Sequence, residues 1–357
     1  MQIQENIPLA PLTTFKVGGP ARYFVDAATE AEVKNAVAYA AERQLPLFVL
    51  GGGSNLVISD DGWPGLVLKI SIDGIHSCSA RGSRYFQAGA GAHWDTLVAQ
   101  TVAEKCAGVE CLSGIPGSVG GTPIQNVGAY GQEVSQTISY VRVLETSSGE
   151  IIELTNAECG FRYRSSIFNT TRRGCYIVLQ VTYQLELEGE PHLEYADLQR
   201  HFAGFASTPA LQDVREAVRK IRQSKAMLLV EGDEDGRSAG SFFKNPLVSQ
   251  SEAGRIEALA RQKVPEKPLP QFPAENDLIK LPAAWLVEQA GFYKGYGNGP
   301  VGISRKHALA IVNRGGAKAR DIMALKNEVQ QQVFDVWGVR LQPEPVFVGF
   351  GEAAVGF

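Results

Sequence analysis

The residues best suited to hold an anionic ligand run from Leu112 to Gly131. Gly114, Gly117, Gly120, Gly121, Gly128 and Gly131 let the backbone turn tightly and approach a ligand with no Cβ in the way. Pro116 and Pro123 stiffen the same stretch. Successive backbone N–H groups in such a loop form a concave anion site. The composition suits a buried crossover between packed layers equally well. A second loop, Gly51-Gly52-Gly53-Ser54-Asn55, shifts the balance towards a ligand. It follows the apolar run Leu47–Leu50, but Leu56 stands where a dinucleotide fingerprint would place its third glycine. No Gly-Lys-Ser/Thr completes a P-loop.

Other chemistry-bearing residues lie downstream. Ser241 and Lys244 flank two phenylalanines in Gly240-Ser241-Phe242-Phe243-Lys244-Asn245-Pro246, without the spacing of a hydrolase elbow. Glu344 sits between Pro343 and Pro345, which no central strand accommodates; it marks a bend and is a site candidate. Arg215, Arg219, Lys220 and Arg222, with Lys225 just beyond, share one side of an apparent helix, and such a charge run reads as a solvated face. The five histidines and five cysteines share no ligand spacing, so no metal is expected. The odd, scattered cysteines read as reduced thiols of a cytoplasmic protein.

A chain of 357 residues can build two or three cores. A net charge of −4 argues against nucleic-acid binding, while leaving small anions open. No apolar run reaches a membrane span, and the first residues lack a signal-peptide pattern.

The elements follow from periodicity. Thr29-Glu30-Ala31-Glu32 is a capping box, and Val33, Ala36, Val37, Ala40 and Ala41 give the helix an apolar face. Strands are expected at 47–50, 66–70 and 85–88, and a hairpin at 140–144 and 150–154. Trp94, Leu97, Val98, Val102 and Cys106 mark a second helical face, and 176–185 another strand. Residues 186–211 are polar and turn-rich, a boundary or lid. Helices follow at Val214–Ile221 and from Pro282, then a strand at 308–312, a long helix with Ile322, Leu325, Val329, Val333 and Val336 inward, and a closing strand over 339–348.

The ordered set of motifs resembles the UDP-N-acetylenolpyruvoylglucosamine reductase family across nearly the whole chain. The motifs are Thr14–Gly19, Gly51–Asn55, Ile115–Gly121, Pro123–Gly131, Phe161–Phe168, Gly240–Pro246 and Pro343-Glu344. The resemblance implies an α+β fold: a vanillyl-alcohol-oxidase (PCMH) type FAD-binding domain in two lobes over 1–225, with a lid insertion at about 186–211. A smaller α+β substrate-binding domain would span 226–357, its last strand returning to the active site. The FAD diphosphate would be wrapped by Gly51, Gly52, Gly53, Ser54, Asn55, Ile115, Pro116, Gly117, Ser118, Gly120, Gly121, Gln125, Asn126, Gly128, Ala129, Tyr130 and Gly131. The first loop has no histidine or cysteine, so non-covalent FAD is expected.

The implied reaction is reduction of UDP-N-acetylglucosamine enolpyruvate by NADPH, in a monomer. Arg164 and Glu344 would polarise the substrate carboxylate and Ser241 would protonate C2, with Lys225 or Lys244 beside it. His192-Leu193-Glu194-Tyr195-Ala196-Asp197-Leu198 matches the insertion of one branch, whose tyrosine reaches the UDP diphosphate; Tyr195 would do so here. Arg222, Lys225, Asn245 and Glu288 are the other implied substrate contacts. Ser165 and Pro345 depart from the family pattern, which has Asp and an apolar residue there. A sugar or hydroxy-acid oxidase with the same flavin domain, and a nucleotide-sugar-binding module, are the alternatives.

Overall fold

A computed structural model describes residues 1–80 and 82–351. The chain divides into two compact units. The first comprises Met1–Ile7, Ala21–Gly53 and Trp63–Leu229. The second comprises Pro8–Pro20, Ser54–Gly62 and the chain from Val230 onward.

In the first unit, one sheet has the strand order Gln4–Pro8, Pro20–Ala27, Trp63–Ile70, Leu47–Leu50. Its central pairs are parallel, with Leu66 opposite both Tyr23 and Leu47. The helix α1, Glu30–Glu42, is the crossover such parallel pairing requires. The Thr29 hydroxyl accepts the Glu32 N–H at 3.2 Å, and Val33, Ala36 and Ala40 are buried, whereas Ala41 is exposed.

A second, antiparallel sheet runs Ile151–Thr155, Ile138–Glu145, Tyr176–Leu187, Ser83–Gly89, Ile75–Ala80. The expected hairpin is its edge. Helix α2, Trp94–Ala103, buries Trp94, Leu97, Val98 and Val102. Cys106 does not continue that face: Lys105, at φ 56°, breaks the helix, and Cys106–Ala107 pairs with Tyr176–Leu187. Both sheets and both helices share one core, which includes Leu66, Leu68, Phe86, Val141 and Val181.

The polar stretch 186–211 contains a helix, α3 (Ala196–Phe202). Leu198 and Phe202, one turn apart, bury against Val214, Ala217 and Val218 of α4 (Leu211–Ser224).

The second unit contains α5 (Gln250–Lys263), α6 (Ala283–Gln289) and α7 (Ala319–Trp337). Its core joins Phe15, Val17 and Val57 from the early chain to Phe242, Leu286, Ile322, Val333 and Trp337. The expected strand at 308–312 is shorter and shifted, Ile311–Asn313, pairing with Val301–Ile303. The closing strand is confined to Val346–Val348; before it the chain makes only an isolated antiparallel bridge at Pro343, because the prolines at 343 and 345 lack the N–H groups that would extend a ladder. It runs parallel to Leu56–Ile58.

Candidate active site

In the first unit the two glycine loops meet backbone to backbone. A Cβ on Gly52 would lie 2.6 Å from Gly117 Cα and 2.7 Å from the Ser118 nitrogen, so only glycine permits this approach. One on Gly51 would meet only the Ser118 hydroxyl, at 3.0 Å. The loop is anchored from behind. Val119 N–H donates to Ala92 O and Gly120 N–H to Ala90 O, both at 2.9 Å, while the Trp94 indole donates to Leu112 O at 3.0 Å. The Ser118 hydroxyl is buried with no hydrogen-bond partner among the described residues. A ligand oxygen is the group that would satisfy it, and a side-chain-free cradle beside an orphaned hydroxyl fits a dinucleotide diphosphate.

The later half of the loop carries two residues in the left-handed region, Asn126 (φ 46°) and Tyr130 (φ 51°). Asn126 uses its side chain within the loop: Nδ2 donates to Glu133 Oε2 and Arg162 O, and Oδ1 accepts Ser135 N–H. Arg164 has the same backbone strain, φ 51°. Arg162 and Ser165 exchange two backbone hydrogen bonds around it, and its Nη2 donates to Gly128 O at 2.6 Å.

The charged side of α4 is not solvated, contrary to the expectation from its charge run. Arg215 grips Asp95 with two hydrogen bonds at 2.7 and 2.9 Å, and Arg219 reaches the same carboxylate. Asp95 also accepts the Gly114 N–H at 2.6 Å, which ties the second glycine loop to α4. Burial opposes its ionisation, but Arg215 and the Gly114 N–H outweigh it and hold the carboxyl below the usual range. Arg222 is buried and donates to Met227 O at 2.6 Å. Lys225 donates to Asp197 of α3 at 2.7 Å; only Lys220 faces outward. The Tyr195 ring stands edge-on to Tyr130, with centroids 5.3 Å apart. Burial pushes the Tyr130 phenol up, against the pull of Arg222 and Lys225.

In the second unit four separate motifs converge. Thr14 Oγ1 donates to Ser238 O at 2.6 Å and lies 3.3 Å from Ser54 O. Asn55 Nδ2 donates to Glu344 O at 3.2 Å, and Val346 N–H donates to Asn55 O at 2.9 Å. Glu344 N–H donates to Phe242 O at 2.8 Å and Lys244 N–H to Gln342 O at 2.9 Å, so residues 242–244 run antiparallel beside 342–344 with Phe242, the residue after Ser241, opposite Glu344. Asn245 Oδ1 accepts the Ala283 N–H at 2.9 Å and so caps α6, the helix that carries Glu288.

Comparisons with known proteins bear on both units. A family profile for an FAD binding domain matches residues 21–155. The profile for the UDP-N-acetylenolpyruvoylglucosamine reductase C-terminal domain matches residues 232–348. The reductase of Thermobifida fusca is 45% identical over 96% of this chain and 97% of its own. The chain belongs to the UDP-N-acetylenolpyruvoylglucosamine reductase family. The Streptomyces coelicolor reductase is 46% identical over 98% of this chain and 91% of its own. The solved reductase of Thermus caldophilus matches with a TM-score of 0.67 and 25% identity, over 98% of this chain and 99% of that one. The protein is therefore a flavoprotein oxidoreductase of the UDP-N-acetylmuramate dehydrogenase type, acting in peptidoglycan synthesis. It has a PCMH-type FAD-binding domain and a separate C-terminal substrate-binding domain. Among the described residues no helix is long and apolar enough to cross a membrane.

Asp95 and Asp197 are charged partners that sequence reasoning missed. Asp95 lies in none of the family motifs and Asp197 lies inside the His192–Leu198 segment without being singled out; their partners Arg215 and Lys225 are 120 and 28 residues away.

Proposed function

We propose that this reductase uses NADPH to convert UDP-N-acetylglucosamine enolpyruvate to UDP-N-acetylmuramate, with Arg164, Ser241 and Glu344 as its catalytic residues. FAD, bound without a covalent link, would supply the redox chemistry, relaying a hydride from NADPH to C3 of the enolpyruvyl group. The chain's own residues do the rest. The glycine loops, with Ser118 beside Gly51, hold the FAD diphosphate. Gln125, Ala129, Ile115 and Pro116 belong to the same wall.

Hydride arrival at C3 pushes negative charge onto C2 and the adjoining carboxylate. Arg164 and Glu344 polarise that carboxylate, where groups fixed in place act most strongly. Ser241 gives its hydroxyl proton to C2. A serine is a weak acid, but an enolate carbon is a strong base, and the cost falls further if an ammonium, Lys225 or Lys244, stabilises the alkoxide left behind. Tyr195, Arg222, Lys225, Asn245 and Glu288 hold the UDP-sugar, with α3 and its flanks as the lid of the tyrosine-bearing branch. We place the domain boundary at 225/226, with the last strand returning beside Asn55, and expect a cytoplasmic monomer.

The single observation that supports this reading is the run of 242–244 alongside 342–344, in which Phe242, the residue after Ser241, pairs with Glu344. The test is anaerobic. NADPH should bleach the flavin absorbance, and the enolpyruvyl substrate should restore it with formation of UDP-N-acetylmuramate. Restoration by oxygen alone, with no effect of that substrate, would point to an oxidase instead.

A further inference from the structure

The lid helix α3 is fastened to α4 twice over. Leu198 and Phe202 bury against Val214, Ala217 and Val218 in an apolar cluster. Beside it, Asp197 Oδ2 accepts a hydrogen bond from Lys225 Nζ at 2.7 Å, while Arg200 takes the other oxygen. Asp197 follows Tyr195 by two residues, and Tyr195 rests on Tyr130 of the second glycine loop. The ion pair therefore sits where the lid, α4 and the glycine loop come together. Lys225 and Asp197 keep only 34% and 21% of their side-chain surface exposed, so the pair is shielded more than a rim contact, whereas Arg200 is 77% exposed.

We infer that Asp197 is a positioning residue for substrate binding: it fixes the Lys225 ammonium beside Tyr195 so that both meet the UDP diphosphate, and it acts on the substrate only through that lysine. This rests on the reading of Lys225 as a diphosphate contact. A free lysine has four rotatable bonds to order when an anion arrives. One already held by a carboxylate meets the anion in place, and pre-ordering of that kind shows up as affinity. Burial works against the Lys225 ammonium, but the Asp197 hydrogen bond outweighs it and raises the lysine above its usual range. The carboxylate thus supplies direction without any loss of charge.

A double-mutant cycle on the FAD-loaded enzyme tests this. Lys225→Met should raise KM for the enolpyruvyl substrate with little change in the rate of flavin reduction by NADPH. Asp197→Asn should raise KM on the order of tenfold, with kcat within about twofold, because a misplaced charged contact weakens binding by that order. In the Lys225→Met background, Asp197→Asn should add nothing. Arg200→Ala, which leaves the Lys225 bond in place, should leave KM unchanged. If Asp197→Asn loses flavin on purification, Asp197→Glu is read in the same cycle, and its KM should also rise only when Lys225 is present. A KM effect of equal size with and without Lys225 would make Asp197 a purely structural clasp, and no KM effect would remove it from substrate binding. If Lys225→Met itself leaves KM unchanged, the reading of Lys225 falls, which is a distinct result.

Discussion

The Glu344 N–H donates to the carbonyl oxygen of Phe242 at 2.8 Å, one residue beyond Ser241. Ser241 is thus placed by its neighbours' backbone and by the fully buried Phe242 ring, which packs edge-on against Phe15 and Phe243. Removing the serine hydroxyl should leave this scaffold standing. Ser241→Ala should therefore keep flavin reduction by NADPH near its normal rate, since that step creates no carbanion. Reoxidation by the enolpyruvyl substrate should slow by roughly 10²–10⁴-fold, the usual loss for a positioned general acid. Ser241→Cys should recover part of it. Stopped-flow flavin absorbance reads both halves, and wild-type reoxidation in the alanine variant would remove Ser241 as the proton donor.

Gly52→Ala should produce a folded protein that is poor in flavin. The new methyl would meet the backbone of Gly117 and Ser118 at 2.6–2.8 Å, and neither loop has a side chain there to move aside. Gly51→Ala should be milder, because it meets only the rotatable Ser118 hydroxyl, and Gly121→Ala milder still, with nothing within 4 Å. The flavin-to-protein absorbance ratio of the purified variants should fall in that order, with Gly52→Ala lowest. Equal loading in all three would separate the loop contact from FAD binding.

Asp95 makes stability depend on pH in a defined direction. Its carboxyl is held below the usual range in the folded protein. It therefore contributes stability above the unfolded value of about 4, and that contribution is lost as pH falls through the lower folded value. Asp95→Asn should destabilise the protein at pH 7 by roughly 2–4 kcal/mol, because it leaves Arg215 without its carboxylate partner. Against wild type, the deficit should shrink as pH falls below about 4. Denaturant titrations at pH 7 and pH 3, followed by tryptophan fluorescence, measure it. A deficit that is constant with pH would show that the Arg215 and Arg219 contacts do not depend on the charge of Asp95.

Much of the fold is legible locally. Thr29 and Glu32 announce α1, and the pairs of sheet strands flanking Ser147-Ser148-Gly149 fall where alternation puts them. The same capping signature at Ser249 and Glu252 starts α5 and was available in the sequence. Helix α3 is harder to see, because seven residues give only two apolar positions to count. The misread side of α4 has a general cause. Whether Arg215 is solvated depends on Asp95, 120 residues earlier, and no local pattern carries that information. Glu344 stands out locally only as a carboxylate at a bend between two prolines and Ser241 only through motif resemblance, since residues 242–244 and 342–344 meet by a backbone pairing that neither segment announces.

The parallel pairing of Leu56–Ile58 with Val346–Val348 sets an order of events during synthesis. Phe15, Val17 and Val57 leave the ribosome early, but the core they belong to is completed by Trp337 and Leu341. They must wait, exposed or transiently covered, until almost the whole chain has been made. The matched C-terminal segment 232–348 is for the same reason not a self-sufficient folding piece: made alone, it would present the unpaired edge of Val346–Val348 and the vacated places of three early apolar side chains, a surface prone to association.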